Sequence, residues 1–162
     1  LEVLIETGRT STMVFVVLIG AIMFSNFVDV TRAPNQIQTF VEGLSIAPIL
    51  VIMVILVIYI ILGCVLDSIA MMLLTVPVFY PLVAGLGYDL IWFGIIVVVV
   101  IEITLITPPI GLNVYVLRAT LPDVALGTIF RGVTPFIIAD IIRLALLVLL
   151  PGFVMLLPNL MD

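Results

Sequence analysis

The residues best suited to hold a small cation lie in one interrupted stretch, Glu102–Asn113, which reads EITLITPPIGLN. Thr104 and Thr107 are three positions apart, so their hydroxyls share one face of a helix. Asn113 follows the two prolines and can point the same way. Hydroxyl and carbonyl oxygens are hard ligands that suit a cation such as Na⁺. Glu102 lies about 140–160° around the helix from both threonines, which predicts a buried carboxylate with a different partner.

Two adjacent prolines decide the shape of this stretch. Pro108 and Pro109 each lack an N–H, the first disfavours helical geometry at the residue before it, and Gly111 adds freedom just after the pair. A straight helix over residues 90–117 would measure about 42 Å, against a bilayer core of about 30 Å. We therefore predict a re-entrant hairpin over residues 90–119. Irregular backbone at that depth is tolerated only where protein or water covers it, so the tip is buried at an interface or belongs to a site.

The composition defines the class of protein. Hydrophobic residues make up 65% of the chain and charged residues 9%, with a mean hydropathy of +1.54, which predicts an all-α, polytopic membrane protein. A net charge of -5 argues against nucleic acid or anionic lipid as the main partner. Without histidine or lysine, and with Cys64 as the single cysteine, the sequence offers no usual catalytic or metal-binding cluster. We expect no enzyme activity and no cofactor.

The segments before the prolines also contain interruptions. We predict a broken membrane helix over residues 11–28 that unwinds at Ser25 and Asn26; the alternative is a helix that simply ends in a polar loop. A short interfacial helix is predicted over residues 36–43. Its apolar side comprises Ile37, Phe40, Val41 and Leu44.

A long interrupted helical segment is predicted over residues 45–88, which is too much for one crossing. Its clearest spanning part is Ser45–Leu66, and the break falls at Gly63–Ser68. Asp67 and Ser68 can cap the second half, and a capping carboxylate inside a membrane protein also marks a possible ion site.

The last segments follow from the same criteria. Residues 118–132 are predicted to form an interfacial connecting helix. A final membrane helix is predicted over residues 133–157, in which Asp140 and Arg143 lie on one face and neutralise each other. Broken helices expose N–H groups on one side and carbonyls on the other, and facing breaks near the midplane are typical of transporter sites.

The stretch EITLITPPIGLNVYVL resembles the large membrane subunit of tripartite ATP-independent periplasmic (TRAP) transporters. The segments GCVLDSIAMMLLTVPVFYPLVAGLGYDLIWFG and RGVTPFIIADIIRLALLVLLPGFVMLLP are similar to that family as well, so the resemblance covers nearly all of residues 1–162 as a C-terminal portion. Thr104 stands where the family often has glycine, and Val100 where asparagine is common.

The resemblance implies one half of an inverted-repeat, elevator-type transporter in the bacterial inner membrane. It implies sodium-coupled uptake of an organic acid anion, such as a C4-dicarboxylate or sialic acid, with a small membrane subunit and a periplasmic binding protein as partners. The binding residues so implied belong to the tip and to the unwound stretches facing it, with Na⁺ at Thr107, Ser25 and Asp67. They are Thr104, Thr107, Pro108, Pro109, Gly111, Asn113, Ser25, Asn26, Gly63, Asp67 and Ser68. A carrier without a binding protein and a non-transporting scaffold are the alternatives.

Overall fold

The computed structural model describes residues 1–43, 46–108 and 111–161, and all their side chains except that of Glu42. Within these ranges the chain is helical and contains no β-strand, which confirms the predicted all-α class. The helices are α1 (Glu2–Thr31), α2 (Ala33–Gly43), α3 (Pro48–Gly63), α4 (Ser68–Gly85), α5 (Leu90–Ile106), α6 (Leu112–Thr120), α7 (Leu126–Leu149), α8 (Pro151–Val154) and α9 (Leu156–Met161).

Three of these helices, α1, α4 and α7, are long and apolar enough to cross a membrane. By contrast, α3 has 16 residues and α5 has 17, which correspond to about 24 and 26 Å. Both fall short of a bilayer core of about 30 Å. Of the predicted spanning helix Ser45–Leu66, α3 covers Pro48–Gly63, and Ser45 lies outside the described residues. The final membrane helix begins seven residues earlier than predicted, at Leu126, and Pro151 limits its other end.

The first helix continues through Ser25 and Asn26, which corrects the predicted unwinding at this pair. Neither residue removes a backbone donor as proline does, so a helix accommodates both. The end comes at Arg32, whose φ is 52° and whose N–H donates to the Asp29 carbonyl. α2 follows at once and contains the predicted interfacial segment; Leu44 lies outside the described residues.

Helices α3 and α4 fold back on each other around the predicted break. The hydroxyls of Tyr59 and Thr75 lie 2.8 Å apart, and the rings of Tyr59 and Phe79 lie 5.7 Å apart. In one continuous helix Tyr59 and Phe79 would be about 30 Å apart. Thr75 also donates to the Met71 carbonyl, so Tyr59, which is fully buried, supplies the proton between the two hydroxyls.

The fifth helix occupies the centre of the hydrophobic core, between α3, α4 and α7. Its buried residues are Trp92, Phe93, Ile96, Val97, Val99, Val100, Ile101, Ile103 and Thr104. The Trp92 ring stacks on Tyr88 at 4.8 Å, and its indole N–H donates to the Leu147 carbonyl at 2.9 Å. This bond joins the start of α5 to the end of α7.

Two contacts show that α5 and α7 run antiparallel. Trp92, near the start of α5, contacts Leu147, whereas Glu102, near its end, contacts Arg143. Residues before Arg143 therefore extend away from Trp92. The membrane placement of the re-entrant hairpin over residues 90–119 stays a prediction.

The connection between α6 and α7 differs from the predicted interfacial helix over residues 118–132. α6 ends at Thr120 and α7 begins at Leu126, with a turn between them. The Arg118 guanidinium donates to carbonyls of this turn, at 3.1 Å to Leu121 and 2.6 Å to Val124. Pro122 cannot donate to the carbonyl four residues before it, which ends the first helix, and the Arg118 guanidinium holds the turn that follows.

Candidate functional site

The break between α3 and α4 faces the proline-interrupted stretch across a small cavity of about 100 Å³. These two interruptions were predicted to face each other, and the candidate site lies where they meet. The cavity is lined from one side by the break and from the other by the two ends of the proline stretch. Its lining residues are Gly63, Cys64, Val65, Leu66, Asp67, Thr104, Leu105 and Leu112.

Gly63 is required for the close approach of the two sides. A Cβ added at Gly63 would lie 2.5 Å from Thr104 Oγ1, 2.6 Å from its Cγ2 and 2.7 Å from its Cβ. Such separations are far inside van der Waals contact, so only glycine fits without displacement of one helix. Thr104 itself is 2% exposed. The α3 end and the α5 end are therefore in direct contact at the cavity.

Asp67 caps α4, as predicted from its position. Its Oδ2 accepts the Ile69 N–H at 3.1 Å, and Ser68 is the first residue of the helix. The carboxylate also borders a second cavity of about 260 Å³, whose opposite wall is formed by Met13, Val14 and Val17 of α1. Asp67 thus lies between two cavities, with one carboxylate oxygen free of the capping bond.

Pro108 and Pro109 free two carbonyl groups at this cavity. In an α-helix the carbonyl of residue i accepts the N–H of residue i+4. The positions four residues beyond Thr104 and Leu105 are prolines, which have no N–H. The carbonyl oxygens of Thr104 and Leu105 therefore lack their helical donors, and both residues line the cavity. Carbonyl oxygens of this kind are hard ligands for a cation.

The two threonine hydroxyls bond back to their own helix. Thr104 donates to the Ile101 carbonyl at 2.7 Å, and Thr107 donates to the Ile103 carbonyl at 2.6 Å. This pattern is common for threonine in helices and has a purely local cause. A hydroxyl that donates its proton keeps two lone pairs, so each oxygen can still accept from water or bind a cation.

The remaining predicted tip residues are placed around this contact. Gly111 is the residue before α6 and adopts a φ of 54°, which favours glycine. Asn113 is exposed in the first turn of α6, and Pro108 is exposed after the end of α5. Pro109 lies outside the described residues.

Ser25 and Asn26 are not brought to this cavity. α1 reaches Asp67 through Val17 and earlier residues. Ser25 is eight positions further along the same unbroken helix, which corresponds to about 12 Å. The structure therefore separates the Ser25–Asn26 pair from the break and from the proline stretch.

Glu102 corrects a further prediction. Its side chain is 56% exposed, not buried, and its Oε2 accepts from Arg143 Nη2 at 3.2 Å. Arg143 also pairs with Asp140 at 3.1 Å, which confirms the predicted pairing on α7. The sequence reasoning missed Arg143 as the partner of Glu102, although it is the only arginine in the apolar part of the final helix.

The reasoning also missed Leu105 and Leu112 as lining residues, since nothing in their type points to a site. Among the described residues, no group of three or more histidine, cysteine, aspartate or glutamate side chains could hold a metal ion. The residues that line the cavity offer the Asp67 carboxylate, the Thr104 hydroxyl and the freed carbonyls of Thr104 and Leu105, whereas Thr107 is not among the lining residues. Such a set suits a weakly held monovalent cation near an anion.

Apolar helices that are interrupted at a shared cavity are typical of membrane transporters. The family profile described as "Tripartite ATP-independent periplasmic transporter, DctM component" matches residues 1–153. The chain belongs to this family. It is accordingly a transporter component and not an enzyme, and its predicted inner-membrane location agrees with the three long apolar helices.

Curated relatives support the assignment. The chain is 32% identical to the C4-dicarboxylate TRAP transporter large permease protein DctM of Pseudomonas aeruginosa, over 98% of this chain and 37% of that protein. It is 31% identical to the sialic acid TRAP transporter large permease protein SiaM of Vibrio cholerae, over 99% and 37%. It is 30% identical to the 2,3-diketo-L-gulonate TRAP transporter large permease protein YiaN of Escherichia coli, over 96% and 36%. The chain thus spans little more than a third of the length of these relatives.

Proposed function

We propose that this chain forms the part of a TRAP large permease that binds the coupling ion during uptake of an organic acid anion. The relatives are named for C4-dicarboxylate, sialic acid and 2,3-diketo-L-gulonate. All three are carboxylates, so an organic acid anion is the substrate class that fits this membership. The transporter works with a small membrane subunit and a periplasmic binding protein that delivers the substrate.

The observation that carries the proposal is the cavity between the α3–α4 break and Thr104. Asp67, the Thr104 hydroxyl and the carbonyls of Thr104 and Leu105 supply oxygen atoms from the cavity lining for one Na⁺. The Thr107 hydroxyl, three positions after Thr104, adds a further oxygen from outside that lining. The C-terminal ends of α3 and α5 add partial negative charge. Ser25 is excluded from this ligand set, because it lies about 12 Å further along α1 than the residues that border Asp67.

The coupling follows from charge. The cavity carries the Asp67 carboxylate, and a second anion is repelled until a cation neutralises that charge. Bound Na⁺ also ties the α5 end to the α3–α4 break, since its ligands come from both. The substrate carboxylate then binds beside the N-termini of α4 or α6, where N–H groups and the helix dipole favour negative charge.

Uptake into proteoliposomes tests this proposal in the complete transporter. Uptake of a labelled C4-dicarboxylate, of sialic acid and of 2,3-diketo-L-gulonate is measured with Na⁺ or K⁺ outside, and with or without the binding protein. The expected result is uptake of one of them that requires both Na⁺ and the binding protein. Uptake with Na⁺ alone would indicate a carrier that needs no binding protein. Failure to transport these three substrates and isethionate, for which another relative is named, would count against the proposed transport role.

A further inference from the structure

A polar cleft of about 520 Å³ lies at the corner between α1 and α2, remote from the cavity described above. It is lined by Arg32, Asn35, Gln36, Thr39 and Phe40. The four polar positions are spaced i, i+3, i+4 and i+7, so they form one continuous face of α2 and its approach. None of these residues takes part in the proposed binding of the coupling ion.

Arg32, Asn35 and Gln36 bring N–H donors to this cleft, whereas the Thr39 hydroxyl donates to the Asn35 carbonyl at 3.0 Å. Arg32 makes no ion pair with a described carboxylate; Asp29, one turn earlier, contacts it through a backbone carbonyl. The Gln36 amide makes one long contact of 3.4 Å to the Thr31 carbonyl, which leaves its second N–H available. A guanidinium with amide donors beside it is suited to a phosphate or carboxylate oxygen.

An apolar groove of about 650 Å³ continues from this cleft, and Phe40 lines both. The groove lies between α2 and α3, and its walls are almost wholly hydrocarbon. Its lining residues are Phe40, Val41, Ile46, Leu50, Val51, Met53, Val54, Val57 and Ile58. Both spaces are open depressions of the surface and not enclosed cavities.

We propose that the cleft and the groove together form a binding site for one anionic phospholipid. The phosphate binds at Arg32, Asn35 and Gln36, and an acyl chain lies in the groove beyond Phe40. Neither half alone defines this ligand, since a free anion needs no groove and a neutral apolar chain needs no guanidinium. The negative net charge argues against anionic lipid as the main partner of the whole chain. It does not prevent one such lipid from binding at Arg32, because physiological salt screens charges more than about 8 Å away.

The conformation of Arg32 fits this role. Its φ of 52° is rare for a residue other than glycine, and it turns the chain from the long α1 into α2. The Arg32 guanidinium therefore lies at the corner where the long apolar helix α1 meets the amphipathic helix α2. Such corners lie at the level of lipid phosphates when the amphipathic helix lies along the membrane surface.

Native mass spectrometry of the complete protein in detergent tests the proposal. Phosphatidylglycerol and phosphatidylcholine with the same acyl chains are titrated onto the protein and onto Arg32→Gln and Val54→Trp variants. The matched controls are Arg131→Gln, another exposed arginine, and Val98→Trp, another exposed valine on an apolar helix. We expect the native protein to bind phosphatidylglycerol more tightly, by about fivefold, as one arginine at an anionic surface provides.

Each variant tests one half of the proposed site. Arg32→Gln should remove the preference for phosphatidylglycerol, and Val54→Trp should weaken binding of both lipids by filling the groove. Equal losses in Arg32→Gln and Arg131→Gln would overturn the proposal, because they would reflect general electrostatics. So would full displacement of lipid by inorganic phosphate together with unchanged binding in Val54→Trp, which would indicate a free anion site instead.

Discussion

The indole N–H of Trp92 donates to the carbonyl of Leu147 because the helix itself supplies no donor there. The residue four positions after Leu147 is Pro151, which lacks an N–H, and the Leu147 oxygen lies 2.9 Å from Trp92 Nε1. Trp92 is fully buried, so its N–H also requires a partner. The proline that ends α7 thus creates the acceptor that fixes α5 against it.

This relationship predicts a double-mutant cycle. Trp92→Phe should lower the free energy of unfolding in detergent by about 1–3 kcal/mol, because the part-buried Leu147 carbonyl loses its donor. In a Pro151→Ala background, the substituted alanine provides the missing backbone N–H, and Trp92→Phe should cost about 1 kcal/mol less. Equal losses in both backgrounds would show that only the lost ring volume matters.

Gly63→Ala should destabilise the contact at the candidate site. The added Cβ overlaps Thr104, and overpacking of this kind costs about 1–3 kcal/mol. Gly94→Ala is the matched control, since nothing lies within 4 Å of a Cβ there and alanine should stabilise α5. The thermal unfolding midpoint in detergent measures both. Thr104→Gly should relieve the overlap in the double variant; an unchanged midpoint for Gly63→Ala alone would disprove the close packing.

Thr107→Ala should raise the Na⁺ concentration needed for half-maximal uptake. Loss of one oxygen that contacts a charged group should weaken Na⁺ binding by roughly 1.5–3 kcal/mol, which lowers the affinity for Na⁺ by about tenfold or more. Thr134→Ala is the control, because its hydroxyl makes the same kind of bond to a helix carbonyl, at 2.8 Å to Phe130, on exposed α7. If both variants have the Na⁺ dependence of the native protein, the Thr107 hydroxyl is not a ligand.

The ion pairs between α5 and α7 should respond unequally to loss of either partner. Glu102→Gln leaves Arg143 paired with Asp140 and should change the free energy of unfolding by at most about 1 kcal/mol, as half-exposed pairs do. Arg143→Gln leaves two carboxylates together and should cost more, with a penalty that shrinks as salt is added. Arg131→Gln controls for the loss of an arginine. A salt-independent loss in Arg143→Gln would assign the effect to packing.

The break at Gly63–Ser68 was predictable because its causes are local. A glycine followed by a capping Asp-Ser pair ends one helix and starts another wherever it occurs. The pairing of Asp140 with Arg143 was equally local, since three positions along a helix bring two side chains together. The break around Pro108 belongs to this group too, because proline removes a donor regardless of its surroundings.

The continuation of α1 through Ser25 and Asn26 was not predictable, because these residues permit a break without requiring one. Nor could the sequence reveal that Glu102 is exposed and paired with Arg143, since the partner lies 41 positions away. The arrangement of residues 90–119 was not predictable for the same reason. Chain length and prolines predict that the helix is interrupted, whereas the direction of α6 after the interruption depends on its packing against α7.

Hydropathy, proline positions and capping residues in the sequence by themselves determined a helical membrane protein and two of its interruptions, at Gly63–Ser68 and at Pro108. Each depends on a residue's own backbone chemistry or on neighbours within one helical turn. The tertiary structure alone decided that the Gly63–Asp67 break meets Thr104, that Trp92 closes on Leu147, and that Ser25 lies elsewhere. Those contacts depend on packing between helices that are distant in the sequence. A glycine permits a close approach, and a carbonyl without a helical N–H donor gains a new bond, only when a second helix lies beside it.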